Sequence, residues 1–390
     1  MIRALSAFTS EIDDVDEAVA DILGQLSLKN QLRAHSVGLI SGVPEFVESG
    51  VIEALQEALP FDLVGQTTIA ASSPGSSSLE TLSLLVLTSD EIEFVIGQTD
   101  PILGENADII KDGYLKATEG RTEKPATLLI YAPLLYNVGG DFLVENLDEV
   151  SEHVPLFGTL AVDNTIDYHK SRVIFRGKAS TDRLAFVALY GDLKPRFFLA
   201  TISHESIFEE KGVVTSSDGN QLKTVDGKSA VDFLKSKGLA TDENGIIEGV
   251  NSFPYIVDFN DGNPPVIRVI FATTPEGNAV CLGDIPEGST LSVGHFGEDE
   301  MLATTRVQVE AIAADDERHS AIIFSCIGRY FTLVLDPSGE IEEAHGLLDP
   351  LDARYTFSYS GGEICPVTSM KDGVSLTNRF HNATFIAMTF

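Results

Sequence analysis

Apolar and polar positions along this chain follow two periods in turn, and the switches between them mark out its elements. IRALSAF alternates with a period of two and predicts a strand. Behind it Val15, Val19, Ile22, Leu23 and Leu26 recur at helical spacing, with Asp13 or Asp14 placed to cap the helix. HSVGLISG predicts a second strand. PEFVESGVIEALQEALP predicts one helix, with Pro44 in its first turn and Pro60 closing it. FDLVGQTTIAAS, the polar loop SSPGSSS (Ser72 to Ser78) and LETLSLLVLT together predict a hairpin joined by a flexible connection.

The same order returns twice. ATLLIYAPLL is followed by the helical pattern DFLVENLDEVSEHVP, then LFGTLAVDN, the basic loop YHKSR and the apolar LAFVALYG. Near the end AIIFSCIGRYF precedes GEIEEAHGLLDP, YTFSYSGGEI, another loop and ATFIAMTF. Duplication of a strand–helix–strand–strand unit is one explanation; chance likeness of short patterns is the other. Between the last two copies the texture changes. KGVVTSSDGNQLKTVDGKSAVDFLKSKGL carries hairpin turns at Asp218-Gly219-Asn220 and Asp226-Gly227 before an amphipathic helix. PPVIRVIFATTPEGNAVCLGDIPEGSTLSVGHF predicts three strands separated by turns, and MLATTRVQVEAIAADD a further helix. Hairpins interleaved with helices predict an α+β fold of mixed, largely antiparallel sheets with flanking helices. Two associated halves are expected, divided near residue 200, where composition shifts.

Charge narrows the function. Asp and Glu outnumber Lys and Arg 59 to 26 over 390 residues, a net charge of −33. Such a surface repels phosphate backbones and anionic headgroups, so neither nucleic acid nor membrane is expected as a partner. Cys281, Cys326 and Cys365 are dispersed, with no CxxC pair, which points to reduced thiols. MIRALSAFTSEIDD reaches acids too early for a signal peptide, and runs such as LSLLVL are too short to span a bilayer. A cytoplasmic location is the expectation.

Candidate chemistry concentrates near the C-terminus. AIIFSCI is apolar on both faces and predicts an interior strand, whose C-terminal end delivers Gly328 and Arg329. The Arg329 guanidinium is a planar fork suited to a carboxylate. In FSYSGGEICP, Gly361 and Gly362 let backbone N–H groups face an anion, and Glu363 can hold an ammonium group. Together these suit an amino-acid-like zwitterion. The competing reading pairs Arg329 with Glu363 as an internal brace. His381 and Asn382 head the last apolar strand, either as polar contacts to the same ligand or as turn residues bonding their own backbone. Cys326, within an apolar run, reads as a core residue beside the ligand; a catalytic thiol needs a depressed pKa that burial opposes. Arg268 in PPVIR reads as a sheet-edge charge. YHKSRVIFRGK reads as a solvated hairpin or a dock for an acidic partner. Clustered zinc-ligand spacings, GxSxG, HExxH and GxGxxG are absent from the sequence, so no metal, cofactor or catalytic residue is assigned.

The order FSCIGRYF, YTFSYSGGEICP, NRFHNATFIAMTF resembles the closing part of the FIST domain, with its FS-x-x-GR, G-E-I and H-N-x-T segments. KGVVTSSDGNQLKTVDG and PPVIRVI resemble the start of the same C-terminal half. FDLVGQTT and VPLFGTLAVDN resemble the glycine-bearing strands of the N-terminal half, though GQTTIAAS and GTLAVDN depart from the family's usual continuation. The resemblance implies a FIST N-terminal-like domain over residues 1–200 and a C-terminal-like domain over 201–390. It further implies an intracellular sensory module for a small polar ligand, an amino acid or derivative; such a module is expected to signal by docking a protein partner or by controlling free ligand. On this expectation the ligand meets Arg329, Gly361, Gly362, Glu363, His381, Asn382 and Cys326, without catalysis. The alternatives are a small-molecule enzyme using Cys326 or His381 and a ligand-free interaction scaffold.

Overall fold

Strand order divides the chain into three units of one plan. The computed structural model of the chain describes residues 2–165, 167–240, 252–315, 320–333 and 336–390. In the first unit the strands are Arg3–Thr9, His35–Gly42, Leu63–Thr67 and Leu82–Ser89. The fourth lies between the first and second, antiparallel to both, and the third lies parallel to the second. The second unit repeats this with Glu93–Gln98, Thr127–Ala132, Leu156–Leu160 and Ala185–Tyr190. The third does so with Arg196–Ala200, Ser320–Cys326, Arg354–Ser360 and Phe385–Thr389. Each unit thus has one parallel pair among antiparallel neighbours, and the expected α+β architecture and threefold recurrence are both present.

A topological exchange that the sequence pattern does not predict links the units. Between its third and fourth strands, each unit sends a segment into another unit's sheet. Ala71–Ser72 pairs with Arg354–Ser360, Val173–Phe175 pairs with Leu63–Thr67, and Glu363–Thr368 pairs with Leu156–Leu160. The circle closes, so no unit holds a complete sheet alone. The hairpin expected between FDLVGQTT and LETLSLLVLT is therefore corrected: those strands flank His35–Gly42 instead of pairing with each other. Each exchanged edge is covered by pairing, which removes the exposed ladder that an open sheet would present.

Local chemistry accounts for the helices. Asp14 caps Val15–Leu26 by accepting from the Glu17 N–H, and Ala18, Ile22 and Leu26 form its buried stripe. The helix expected across residues 44–60 is two short ones, Glu45–Glu48 and Val51–Ala58, broken where Gly50 adopts φ +88°. Inserted in the third unit is an eight-stranded sheet running from Gly212–Asp218 to Thr290–Val293 with the helix Ala230–Ser236; its first hairpin turns where DGN predicts. The following helix covers Glu298–Ala313, and the expected end of its pattern, Asp316, lies outside the described residues.

Alternation along the strands builds the site. Leu39, Leu85, Phe157, Val187, Phe324 and Ile386 from three sheets share one core, in which the Phe157 and Phe324 rings stack at 5.5 Å. Each such side chain contributes about 1.5–3 kcal/mol on burial. The opposite faces pack on helices, forming a separate outer core in each unit. Two residues beyond the core positions, on the same inward faces, the chemistry turns polar: Gln66 after Val64, Thr159 after Phe157, Cys326 after Phe324, Thr384 before Ile386, Glu363 before Cys365. Gly65 and Gly158 permit this convergence, because a Cβ at either would overlap the carbonyl of Ile40 or Ile130 on the parallel neighbour. Among the described residues no helix is long and apolar enough to cross a membrane.

Candidate functional site

Glu363 is the centre of the polar layer. It opens the strand Glu363–Thr368, lies opposite Thr159 on one side and His381 on the other, and is fully buried. The turn before it needs glycine: Gly362 holds φ +140°, and a Cβ there would collide with the Phe380 ring. The carboxyl accepts from the Ser360 hydroxyl at Oε1. At Oε2 it accepts from the Thr384 hydroxyl at 2.7 Å and the Thr384 N–H at 3.3 Å. The Cys326 thiol bonds to the same carboxyl. Among the described residues no cation is a partner, and burial pushes the acid up to about 7 in spite of those donors.

Cys326 ends its strand and caps the short helix Ile327–Thr332, which carries Gly328 and Arg329. Its sulfur faces the N–H groups of Gly328 and Ala383 as well as Glu363, yet burial and the neighbouring carboxyl raise the thiol well above its ordinary range. Cys326 is 4% exposed against 0% for Cys365 and Cys281, and the Gly361 backbone beside it is half-buried. A Cβ on Gly361 would meet Val162 at 2.9 Å and Leu134 at 3.4 Å, so the turn fits closely against the strand ends of the second unit. The half-buried Tyr168 hydroxyl lies within electrostatic reach of Cys326 and Asp163, and burial raises it. The basic loop thus folds back toward this junction: Asp163 accepts from Thr165 and from Ser171 at 3.0 Å.

Arg329 is elsewhere in the hydrogen-bond network. Its Nε bonds Glu340 at 2.9 Å, and its Nη2 bonds the Met301 carbonyl at 2.9 Å and the Thr305 hydroxyl at 2.8 Å. The expected pairing of Arg329 and Glu363, whether through a ligand or directly, gives way to an Arg329–Glu340 pair that is 1% and 0% exposed between two helices. His381 is 1% exposed; one ring nitrogen contacts the Cys365 carbonyl at 3.0 Å, Nδ1 has no partner, and burial lowers the imidazole to about 4. Asn382 donates to the His381 carbonyl at 3.0 Å and accepts from the Val269 N–H at 3.4 Å. It ties this strand end to the inserted sheet. Arg268, expected at a sheet edge, is fully buried: it bonds Asp141 at 2.8 Å and the Asp284 and Phe380 carbonyls, clamping the insertion to the second unit. Asp141 also accepts from the Asp284 N–H, and burial with that neighbouring carboxylate lifts Asp284 to about 6.

Ser360, Thr384 and Tyr168 were not singled out from sequence. The first two flank the recognised motifs, in SYSGGE and HNAT, and their hydroxyls are the signal that was there to read. A groove of about 1120 Å³ opens elsewhere, among Arg3, Gln25, Lys194, Asp352, Arg354 and Phe390, and includes none of the expected site residues.

The FIST N domain profile matches residues 36–228 and the FIST C domain profile residues 230–366. The chain belongs to the FIST family. FIST domains are taken as sensory domains in signal transduction. A search of curated proteins gave no match. Among solved structures, a cyanuric acid hydrolase from A. caulinodans is similar over 100% of this FIST chain and 98% of its own, at 10% identity and TM-score 0.39. PurLQS from Thermotoga maritima is similar over 100% and 72%, at 10% identity and TM-score 0.20. At these scores neither likeness carries an argument.

Proposed function

We propose that this FIST protein is a sensory module for a small polar metabolite carrying an amine, an amino acid or a derivative, and that Glu363 is the amine acceptor. One observation carries the reading. A fully buried carboxyl is held by hydroxyls, a thiol and one amide, with no cation, at a place where the adjacent Gly361 backbone remains half-buried. A ligand ammonium would supply the missing charge, and carboxylate-to-ammonium contacts in such a site are strong. Gly361, Gly362 and Cys326 form the wall. His381 and Asn382 act one step back, holding the strand that presents Thr384. Arg329 leaves the set, because its donors are engaged by Glu340 and the helix around Met301. A ligand-dependent change would pass to a protein partner through the surface around the junction.

Thermal-shift screening of amino acids, amines and their derivatives tests this. A hit that raises Tm in the wild type and disappears in Glu363→Gln is expected. A panel with no hit, or a hit untouched by Glu363→Gln, would end the proposal.

A further inference from the structure

The loop SSPGSSS takes part in a second constellation, on the outer face of the third unit. Ser72 sits on the exchanged strand Ala71–Ser72, beside Phe357 of Arg354–Ser360. Its Oγ is 2.8 Å from His345 Nε2, and His345 Nδ1 is 2.9 Å from Asp349 Oδ2, one helical turn further on. Hydrogen-bond logic fixes the proton positions. Tyr355 gives its one O–H to Asp349 Oδ1 at 2.7 Å and lies 3.0 Å from His345 Nδ1, so it can only accept there. Nδ1 therefore carries a proton and donates to Asp349, and in the neutral ring Nε2 is the acceptor. The Ser73 N–H donates to Ser76 Oγ at 3.2 Å, the Ser76 hydroxyl lies 2.9 Å from Ser72 Oγ, and Ser72 is left to donate to Nε2. The chain of donors runs one way, into the imidazole.

We infer that Ser72, His345 and Asp349 form a nucleophile, base and orienting acid for hydrolysis of small uncharged carboxylic esters. The order of hydrogen bonds is the one that activates a serine, and such sites are recognised by geometry and role, not by sequence order. Ser72 Oγ adds to the ester carbonyl carbon while its proton passes to Nε2, and Asp349 holds the imidazolium through Nδ1–H. The tetrahedral adduct collapses, the C–O bond breaks, and the leaving alcohol takes the proton from Nε2. Water then attacks the acyl-serine by the same route and releases the acid. Leu348, Tyr355 and Phe357 belong to the buried outer core of this unit. A net charge of −33 disfavours anionic substrates. The imidazole is 19% exposed and Asp349 30%, whereas Ser72 is 1% exposed beneath residues 73–79. Substrate entry thus requires that loop to lift, breaking the Gly75 N–H bond to Asp349 at 3.1 Å and the Ser76 contact.

The intact protein is treated with diisopropyl fluorophosphate, the adduct is mapped by mass spectrometry, and p-nitrophenyl acetate turnover is followed in parallel. One adduct per chain on Ser72 is expected. His345→Gln should slow labelling and turnover by roughly 100-fold or more. No adduct on the wild type, an adduct on another residue, or one that survives His345→Gln would overturn the inference. Mapping on the wild type gives an answer even if Ser72→Ala does not fold.

Discussion

Among the described residues, the third unit contains two fully buried glutamates, and they are held in opposite ways. Glu340 accepts from the Arg329 guanidinium at 2.9 Å, the Thr305 hydroxyl at 2.5 Å and the Ser325 hydroxyl at 2.6 Å. Glu363, reached through Ser360, has hydroxyl, thiol and amide donors but no cation. The networks nearly touch, since the Ser360 hydroxyl also lies 3.2 Å from the Ser325 carbonyl. Burial alone therefore does not mark a functional acid. A carboxylate with its counter-ion in place is part of the frame, while one that lacks it is poised to change state or to receive a cation.

The sharpest way to break this contrast is to remove the counter-ion. Arg329→Met leaves the buried Glu340 with hydroxyl donors but no counter-ion and should cost about 3–5 kcal/mol, because an uncompensated charge stays buried. Urea unfolding measures it. The double variant Arg329→Met/Glu340→Leu should recover most of the loss. If Arg329→Met costs no more than an average surface substitution, the pair is not the brace described.

A smaller effect distinguishes Glu363, and its sign is fixed by linkage. Its folded pKa is raised to about 7 from the usual 4.5, so between those pH values the folded chain keeps a proton that the unfolded chain has lost. Stability from this group therefore falls as pH rises through that window, by roughly 3 kcal/mol in all. His381, directly opposite in register, is lowered to about 4 from 6.5. There the unfolded chain holds the extra proton, and stability rises with pH between 4 and 6.5. The two slopes oppose each other between 4.5 and 6.5, so their joint contribution to the wild type should be nearly flat there. Glu363→Gln should expose a stability that climbs with pH, and His381→Gln one that declines. Parallel profiles for the two variants would show that these groups do not titrate as argued.

How much of this could be read from the residues follows from separation along the chain. The triple recurrence was legible because each unit buries its own strands and helices, so the local periods survive in the sequence. The exchange of segments was not, since Ala71–Ser72 looks like any loop edge until Arg354–Ser360 pairs with it. Glu363 was legible through Gly361-Gly362, whose backbone demands are local. The Arg329 partner was not: Glu340 sits in GEIEEAHGLLDP as one acid among several on an amphipathic helix, and only folding turns it inward. Arg268 was misread for the same reason, because Asp141 lies 127 residues away. His345 is 273 residues from Ser72, beyond any spacing rule.

The smallest expected effect concerns the thiol beside Glu363. Cys326 has backbone N–H groups aimed at its sulfur, an arrangement that favours a thiolate, but burial and the Glu363 carboxyl outweigh them and keep the thiol neutral. Thiolate fraction sets alkylation rate. Iodoacetamide at pH 7.5 should therefore modify native Cys326 at least tenfold more slowly than free cysteine, whereas the urea-unfolded chain should take up label at Cys281, Cys326 and Cys365 alike. Fast stoichiometric labelling of Cys326 in the folded protein would place a reactive thiolate at the junction. The buried acid would then be the partner of a nucleophile, not the acceptor of an amine.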